Sequence, residues 1–320
     1  MKIVITGGCG YIGSHIARAC KDHFKDSRVY IIDRERREHT LKGVDGYLHS
    51  DFAGRQSLMW ITELEPDVVV HCAGSLLVGE SVADPATYYD NNVSKTVTLL
   101  SHLKGLKKMP LVLFSSSASV YGNPAQVPLV ESDPIQPMSP YGSTKAMVER
   151  IFKDYYAAYG LPSICFRYFN AAGAEPFYFD LGQAPGAGHI IARVLESKLG
   201  NKTFTLNGRD YNTEDRTCVR DYIHVWDLAR AHILGIEWFF SPGKKEAESF
   251  NLGTATGISN QQILDYVIKN YGSLEVAVGP RRPGDPDILI ADSERASKVL
   301  KWQPEYSTLE QIVDSAYNWY

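Results

Sequence analysis

The chain has 320 residues, enough for two domains or one elaborated α/β unit, and enough to bury a core without disulfides or metals. Its 33 Lys and Arg against 37 Asp and Glu leave a net charge of −4, which argues against a nucleic-acid binder that coats phosphates. With 44% hydrophobic and 22% charged residues it falls outside the disordered, collagenous and coiled-coil classes.

In chain order, short β-branched runs alternate with longer helical patterns. Strands are expected at residues 2–6, 28–33, 47–50, 67–72, 111–115 and 163–169, with helices at 11–21, 88–103 and 140–159. Runs such as Asp67-Val68-Val69-Val70 and Leu111-Val112-Leu113-Phe114 are apolar on both faces, the habit of a parallel sheet covered by helices. The expected fold is therefore α/β: a Rossmann-type doubly wound parallel sheet with a smaller α/β substrate-binding domain. We place the first domain at 1–172 and the second at 173–320, with residues around 217–240 as a segment that returns to the first. A Gly- and Pro-rich stretch follows residue 172, and a helical pattern closes the chain at 308–319.

No apolar run approaches the ~20 residues that cross a bilayer, and the first run breaks at Gly7, too early for a signal peptide. The five cysteines (Cys9, Cys20, Cys72, Cys165 and Cys218) are scattered without a CxxC pair. Reduced thiols, a cytoplasmic location and no metal site are expected.

Gly7-Gly8-Cys9-Gly10-Tyr11-Ile12-Gly13 lies between a strand and a helix and satisfies both GxGxxG and GxxGxxG. Glycines there allow a tight turn and close approach of backbone N–H groups to a pyrophosphate, and the helix start adds partial positive charge. Asp33 follows at the end of the second strand, placed to accept hydrogen bonds from an adenosine ribose. That acid should repel a 2′-phosphate and favours NAD over NADP, although Arg34 beside it is the group that accommodates such a phosphate.

Ser139-Pro140-Tyr141 reads as a helix start, and Lys145 falls four residues on, sharing a face with Tyr141. A free tyrosine titrates near 10, so it serves as a base only where neighbouring cations favour the phenolate. Ser115-Ser116-Ser117-Ala118-Ser119 ends a buried strand, the end at which open α/β sheets bind ligands. Each element alone has an ordinary reading: YxxxK as a packed helix face, strand-end serines as turn formers.

Together, the glycine loop, Ser117, Tyr141 and Lys145 resemble the extended short-chain dehydrogenase/reductase superfamily. Longer strings narrow the likeness to its UDP-glucose 4-epimerase group: Gly10-Tyr11-Ile12-Gly13-Ser14-His15, Val78-Gly79-Glu80-Ser81, Tyr88-Tyr89-Asp90-Asn91-Asn92, Arg167-Tyr168-Phe169-Asn170 and Val219-Arg220-Asp221-Tyr222-Ile223-His224-Val225. The match spans nearly the whole chain. The resemblance implies an enzyme that holds NAD as a transient hydride store while Tyr141 takes the proton of the sugar's 4-hydroxyl. Lys145 would hold the nicotinamide ribose and tune Tyr141, and Ser117 would help pass the proton. It assigns the cofactor to Gly7, Gly10, Tyr11, Ile12, Gly13, Asp33, Asp51, Phe52, Cys72, Ala73, Gly74, Asn92, Ser115, Tyr141, Lys145 and Phe169. It assigns the UDP-sugar to Ser117, Tyr141, Asn170, His189, Ile190, Arg220, Arg282, Asp285 and Leu289, with Arg220 and Arg282 on the diphosphate. His189 reads equally well as a polar surface residue. A homodimer packed through the helices at 88–103 and 140–159 is likewise implied.

Ala118 and Ser119 stand where sugar-nucleotide dehydratases of the superfamily place acids, which disfavours elimination. Leu76 replaces a lysine that touches the cofactor in many relatives and puts tight NAD retention in question. Leu289 replaces a tyrosine in relatives restricted to UDP-glucose and UDP-galactose, which leaves room for a 2-acetamido group unless neighbouring side chains fill it. The competing readings are a uronate 4-epimerase or sugar-nucleotide reductase on the same scaffold, and a non-catalytic cofactor sensor.

Overall fold

The structure is a computed structural model and describes residues 1–186, 188–243, 246–282 and 285–320. From the amino terminus the chain runs β1 (Lys2–Thr6), α1 (Tyr11–His23), β2 (Arg28–Asp33), β3 (Gly46–His49), α2 (Arg55–Leu64), β4 (Val68–His71), α3 (Val78–Ala83), α4 (Pro85–Tyr89), α5 (Lys95–Leu103), β5 (Leu111–Ser117), α6 (Pro140–Tyr159) and β6 (Ser163–Tyr168). It continues through β7 (Asn170–Ala172), α7 (Ile190–Leu199), β8 (Phe204–Asn207), β9 (Val219–His224), α8 (Val225–Phe240), β10 (Glu248–Leu252), β11 (Gly257–Ser259), α9 (Asn260–Tyr271), β12 (Val276–Gly279), β13 (Ile288–Leu289), α10 (Glu294–Leu300) and α11 (Leu309–Trp319).

Seven strands form one sheet in the order β10-β6-β5-β4-β1-β2-β3, every pair parallel. This is the expected doubly wound arrangement, and the strand order reverses between β1 and β4, where a crevice opens at the carboxyl ends. The sheet forms because its strands are apolar on both sides: all four residues of β4 are buried. One face packs on α1 and α8 through Ile16, Cys20, Ala229 and Ile233. The other packs on α2, α5 and α6 through Ile61, Leu99, Val148 and Phe152.

A smaller sheet is centred on β9, which pairs with β7 and β13 in parallel and with β11 antiparallel. Helices α7, α9 and α11 enclose its core of Ile191, Leu195, Phe204, Ile263 and Ile312. Strand membership crosses residue 172. Within the 217–240 stretch, β9 belongs to the smaller sheet and α8 covers the large one, and β10 is the large sheet's seventh strand.

The expected helix at 88–103 is interrupted. A π-helical turn, Asp90–Ser94, joins α4 to α5. The wide turn puts Asn92 where its amide accepts from Ser75 N at 2.7 Å and donates to Thr144 Oγ1 at 3.1 Å, and π-turns gather at functional sites for such reasons. Helix α6 begins as read: Ser139 accepts from Gly142 N at 3.1 Å, Pro140 follows, and Gly160 ends the helix in the left-handed region.

Candidate active site

The glycine loop leaves β1 and enters α1 at the reversal point of the sheet. Gly7 has φ +73°, and a Cβ there would stand 2.6 Å from Ala73 N; a Cβ on Gly13 would stand 2.3 Å from Gly7 O. Both positions therefore exclude any side chain. Gly10, Tyr11, Ile12 and Gly13 form the start of α1, whose cap Gly10 supplies no side-chain acceptor to its first N–H groups. Asp33 is fixed at the end of β2 by bonds from Cys9 N at 2.9 Å and Glu35 N at 3.0 Å. A backbone cradle, a helix start and a carboxylate in this order fit a dinucleotide.

Asp51 accepts from Lys95 Nζ at 2.8 Å and from Ala53 N at 3.0 Å, with an Arg34 guanidinium nitrogen at 4.0 Å. Burial works to raise its carboxyl, but these partners hold it below the usual range. Phe52 is buried in the same core cluster as Val4, Ile32 and Val69. Cys72, Ala73 and Gly74 follow β4, and a Cβ on Gly74 would meet Asn92 Oδ1 at 3.0 Å. Leu76, two residues on, is exposed.

At the end of β5 the structure brings the reactive groups together. Lys145 is buried, donates from Nζ to Ser115 O at 2.7 Å, and lies 5.8 Å from the centre of the Tyr141 ring. Burial lowers the Lys145 ammonium to about 8, against the opposing influence of Cys72, Glu149 and Cys165. Burial raises the Tyr141 phenol above its ordinary value, with the Ser117 hydroxyl drawing it back. Ser117 Oγ donates to Ser119 Oγ at 3.1 Å and accepts from Ser119 N at 3.2 Å, which orients it at the strand terminus.

Phe169 is buried beside Ala118, Val120 and Tyr121, and Leu289 packs on the same cluster. The Leu289 side chain is thereby joined to the strand end that carries Ser117. The register of β13 on β9 sets Leu289 opposite Arg220. Asn170, His189 and Ile190 line one cavity together with Gln183, Tyr222 and Trp319. His189 is an exposed residue at the cavity rim, where desolvation by the surrounding walls, and then the nearby Arg282, hold its imidazole below its ordinary value.

Arg220 is buried and locked. It donates to Asp285 Oδ1 and Pro286 O at 2.6 Å each and to Val219 O at 2.7 Å. Asp285 also accepts from Tyr211 O–H at 2.8 Å. Arg282 is exposed, and the Asn207 amide oxygen, turned to face it, accepts from its Nε at 3.0 Å. Pro283 and Gly284 of the surrounding motif lie outside the described residues.

Three contributors escaped the sequence reading. Tyr222 sits inside a recognised motif yet only strand pairing puts it in the cavity; Trp319 reaches it from α11; Thr144 matters because the π-turn aims Asn92 at it. Among the described residues no cluster of His, Cys, Asp and Glu is arranged to hold a metal.

Comparison with known proteins agrees with this geometry. Residues 3–253 match the NAD dependent epimerase/dehydratase family. The chain is 42% identical to UDP-glucose 4-epimerase of Halalkalibacterium halodurans, over 100% of this chain and 96% of that protein. It superimposes on the crystal structure of UDP-glucose 4-epimerase from Brucella ovis in complex with NAD with TM-score 0.92 and 36% identity, covering 99% of this chain and 97% of that one. The Bifidobacterium longum UDP-glucose 4-epimerase, in complex with NAD+ and UDP, gives TM-score 0.91 and 33% identity over 100% of this chain and 98% of that one. Fold, cradle and relatives agree: this chain belongs to the NAD dependent epimerase/dehydratase family.

Proposed function

We propose that this protein is an NAD-dependent 4-epimerase that interconverts UDP-glucose and UDP-galactose through a transient 4-keto sugar. The observation that carries the reading is the convergence of Ser117, Tyr141 and Lys145 at the end of β5, beside a glycine cradle built for a dinucleotide. The glycine cradle and Asp33 would hold NAD, which would supply a reversible hydride acceptor for carbon 4 of the sugar with no net redox change.

The chain's own residues do the rest. Tyr141 takes the proton of the 4-hydroxyl and gives it back, and Ser117 bridges that transfer. Lys145, pinned by Ser115 O, holds the nicotinamide ribose and keeps a positive charge near the phenol. Burial raises the Tyr141 phenol, so positive charge near it favours its work as a base; Lys145 lies 5.8 Å from the ring centre, and a bound oxidised nicotinamide would add to that charge. The two residues after Ser117 are Ala118 and Ser119, so no carboxylate follows it to drive loss of water.

We assign the NAD side to the large sheet's carboxyl edge, as the sequence divides it, and the UDP-sugar to the smaller unit that begins at 173. Arg282 offers an open cation to the diphosphate, Arg220 adds a charge that Asp285 orients, and Asn170, His189 and Ile190 receive the nucleotide. Leu289, short and partly buried where it joins the cluster of Phe169 and Ala118, supports acceptance of UDP-N-acetylhexosamines. Exposed apolar side chains within 88–103 and 140–159 (Tyr89, Met147 and Tyr159) support a homodimer through these segments, which light scattering on the purified protein would test. The five free cysteines agree with a cytoplasmic setting. Among the described residues no helix is long and apolar enough to cross a membrane.

The reading is tested by turnover of UDP-galactose with the Tyr141→Phe variant. Retained turnover would remove Tyr141 as the base, and consumption of free NADH in proportion to product would replace epimerisation by reduction.

A further inference from the structure

Lys145 approaches the large sheet from α6 on one face, and His232 approaches it from α8 on the other. Between them lies Ser115. Pairing of β4 with β5 stops at His71 opposite Phe114, so Ser115 is the first residue of β5 past the edge of β4. On its other side it remains paired, opposite Phe166 of β6. Its carbonyl is thereby released toward α6, where it accepts from Lys145 Nζ at 2.7 Å.

The Ser115 hydroxyl points the other way, into a buried chain. It lies 3.0 Å from Tyr168 Oη, which lies 2.8 Å from His232 Nε2, and His232 Nδ1 lies 2.8 Å from Leu228 O. A carbonyl only accepts, so Nδ1 carries the proton and Nε2 is the acceptor. Tyr168 then donates to His232 and accepts from Ser115, which leaves one direction for every proton in the chain. Burial pushes His232 down to about 4, so it stays neutral and holds this tautomer across the physiological range. Each polar group is satisfied, and removal of any member strands another inside the core.

We propose that His232, acting through Tyr168 and Ser115, is a positioning residue for Lys145: the chain fixes the strand end whose carbonyl holds the ammonium. Other groups face Lys145 as well. His71 and Cys72 come from the end of β4, Cys165 from β6, and Tyr141 and Glu149 from its own helix. Its ammonium hydrogen-bonds to Ser115 O. The epimerase reading enters only through the kinetic arm of the test below, and the titration arm stands without it.

Three variants separate positioning from mere packing. His232→Phe and Tyr168→Phe break the chain, while His232→Gln keeps an acceptor where Nε2 was. The first readout is the titration of Lys145 in protein carrying 13C-labelled lysine, followed by NMR; the second is the pH dependence of kcat with UDP-galactose; the third is the thermal midpoint. A loosened Ser115 carbonyl supports the ammonium less, so the Lys145 titration and the alkaline limb of kcat both move down by about one pH unit in the two broken variants. With them kcat falls about tenfold at neutral pH, KM stays within about twofold, and His232→Gln restores most of both. A Lys145 titration that stays at the wild-type position in folded His232→Phe and Tyr168→Phe overturns the proposal, even if activity falls. So does a titration in His232→Gln displaced as far as in His232→Phe. Loss of UDP-galactose turnover in the wild type, with the titration shifts intact, would count against the epimerase reading alone.

Discussion

Along the carboxyl edge of the large sheet, the reactive groups are held by the backbone itself. Lys145 rests on a strand carbonyl, Ser117 on the N–H of Ser119, and Asp33 on the N–H groups of Cys9 and Glu35. In the smaller unit side chains take a larger share of the holding: Arg220 bonds Asp285 as well as the Pro286 and Val219 carbonyls, Asp285 also accepts from Tyr211, and Arg282 is held by the Asn207 amide. Backbone anchors are rigid and tolerate few substitutions, whereas side-chain anchors can be re-cut without disturbing the sheet. Chemistry belongs where geometry must not vary, and substrate choice where it can. Substitutions in the first region should act on kcat and cofactor binding, and those in the second on KM and on which sugar is accepted.

The largest break in that comparison comes from Tyr141→Phe, which should lower kcat by about 10²- to 10⁴-fold with little change in KM. Initial rates with UDP-galactose measure it. Next is Gly13→Ala, whose Cβ would stand 2.3 Å from Gly7 O. It should weaken NAD binding by about tenfold or more, read by calorimetry on cofactor-stripped protein, and wild-type affinity would show that the loop is not the cradle.

In the second region, Arg282→Ala should raise KM for the UDP-sugar about tenfold while kcat changes less than about threefold. An equal fall in both would place Arg282 in the chemistry. Leu289→Tyr should be smaller still, lowering UDP-GlcNAc turnover by about three- to tenfold relative to UDP-glucose. Equal effects on both sugars would remove Leu289 from specificity.

Mild acid tests both regions at once. Burial holds His15 and His232 at about 4 and His71 and His224 at about 3. Each value lies below the unfolded 6.5, so the unfolded chain binds more protons between the two. Stability is therefore full above about 6.5 and is lost as pH falls toward 4, by about 1.4 kcal/mol per histidine for each pH unit well inside that window. A thermal midpoint flat from pH 7 to 4.5 would contradict the buried neutral assignments.

Much of this was readable beforehand because its cause is local. Residues 68–70 must be buried on both faces, Gly7 and Gly13 fit a loop that excludes side chains, and Ser139-Pro140 carries a local helix-start signal that the chain obeys. What escaped depends on partners far along the chain. Strand β10 joins the large sheet by pairing along its length with β6, far back in the chain, and nothing within β9 announces that β7, β11 and β13 will gather on it. The π-turn is invisible to helical periodicity, since it is set by where Asn92 must point. Arg220 was legible as a cation, but not as one already engaged by Asp285. His232 carries no signal in the sequence, because its place is defined only by Tyr168 and Ser115, 64 and 117 residues away.

The central claim is tested most directly by incubating purified protein with UDP-galactose and no added cofactor, then resolving the nucleotide sugars. The account predicts UDP-glucose, no accumulation of NADH, and no product with Tyr141→Phe. Absence of UDP-glucose even when NAD is supplied, or undiminished conversion by Tyr141→Phe, would contradict it.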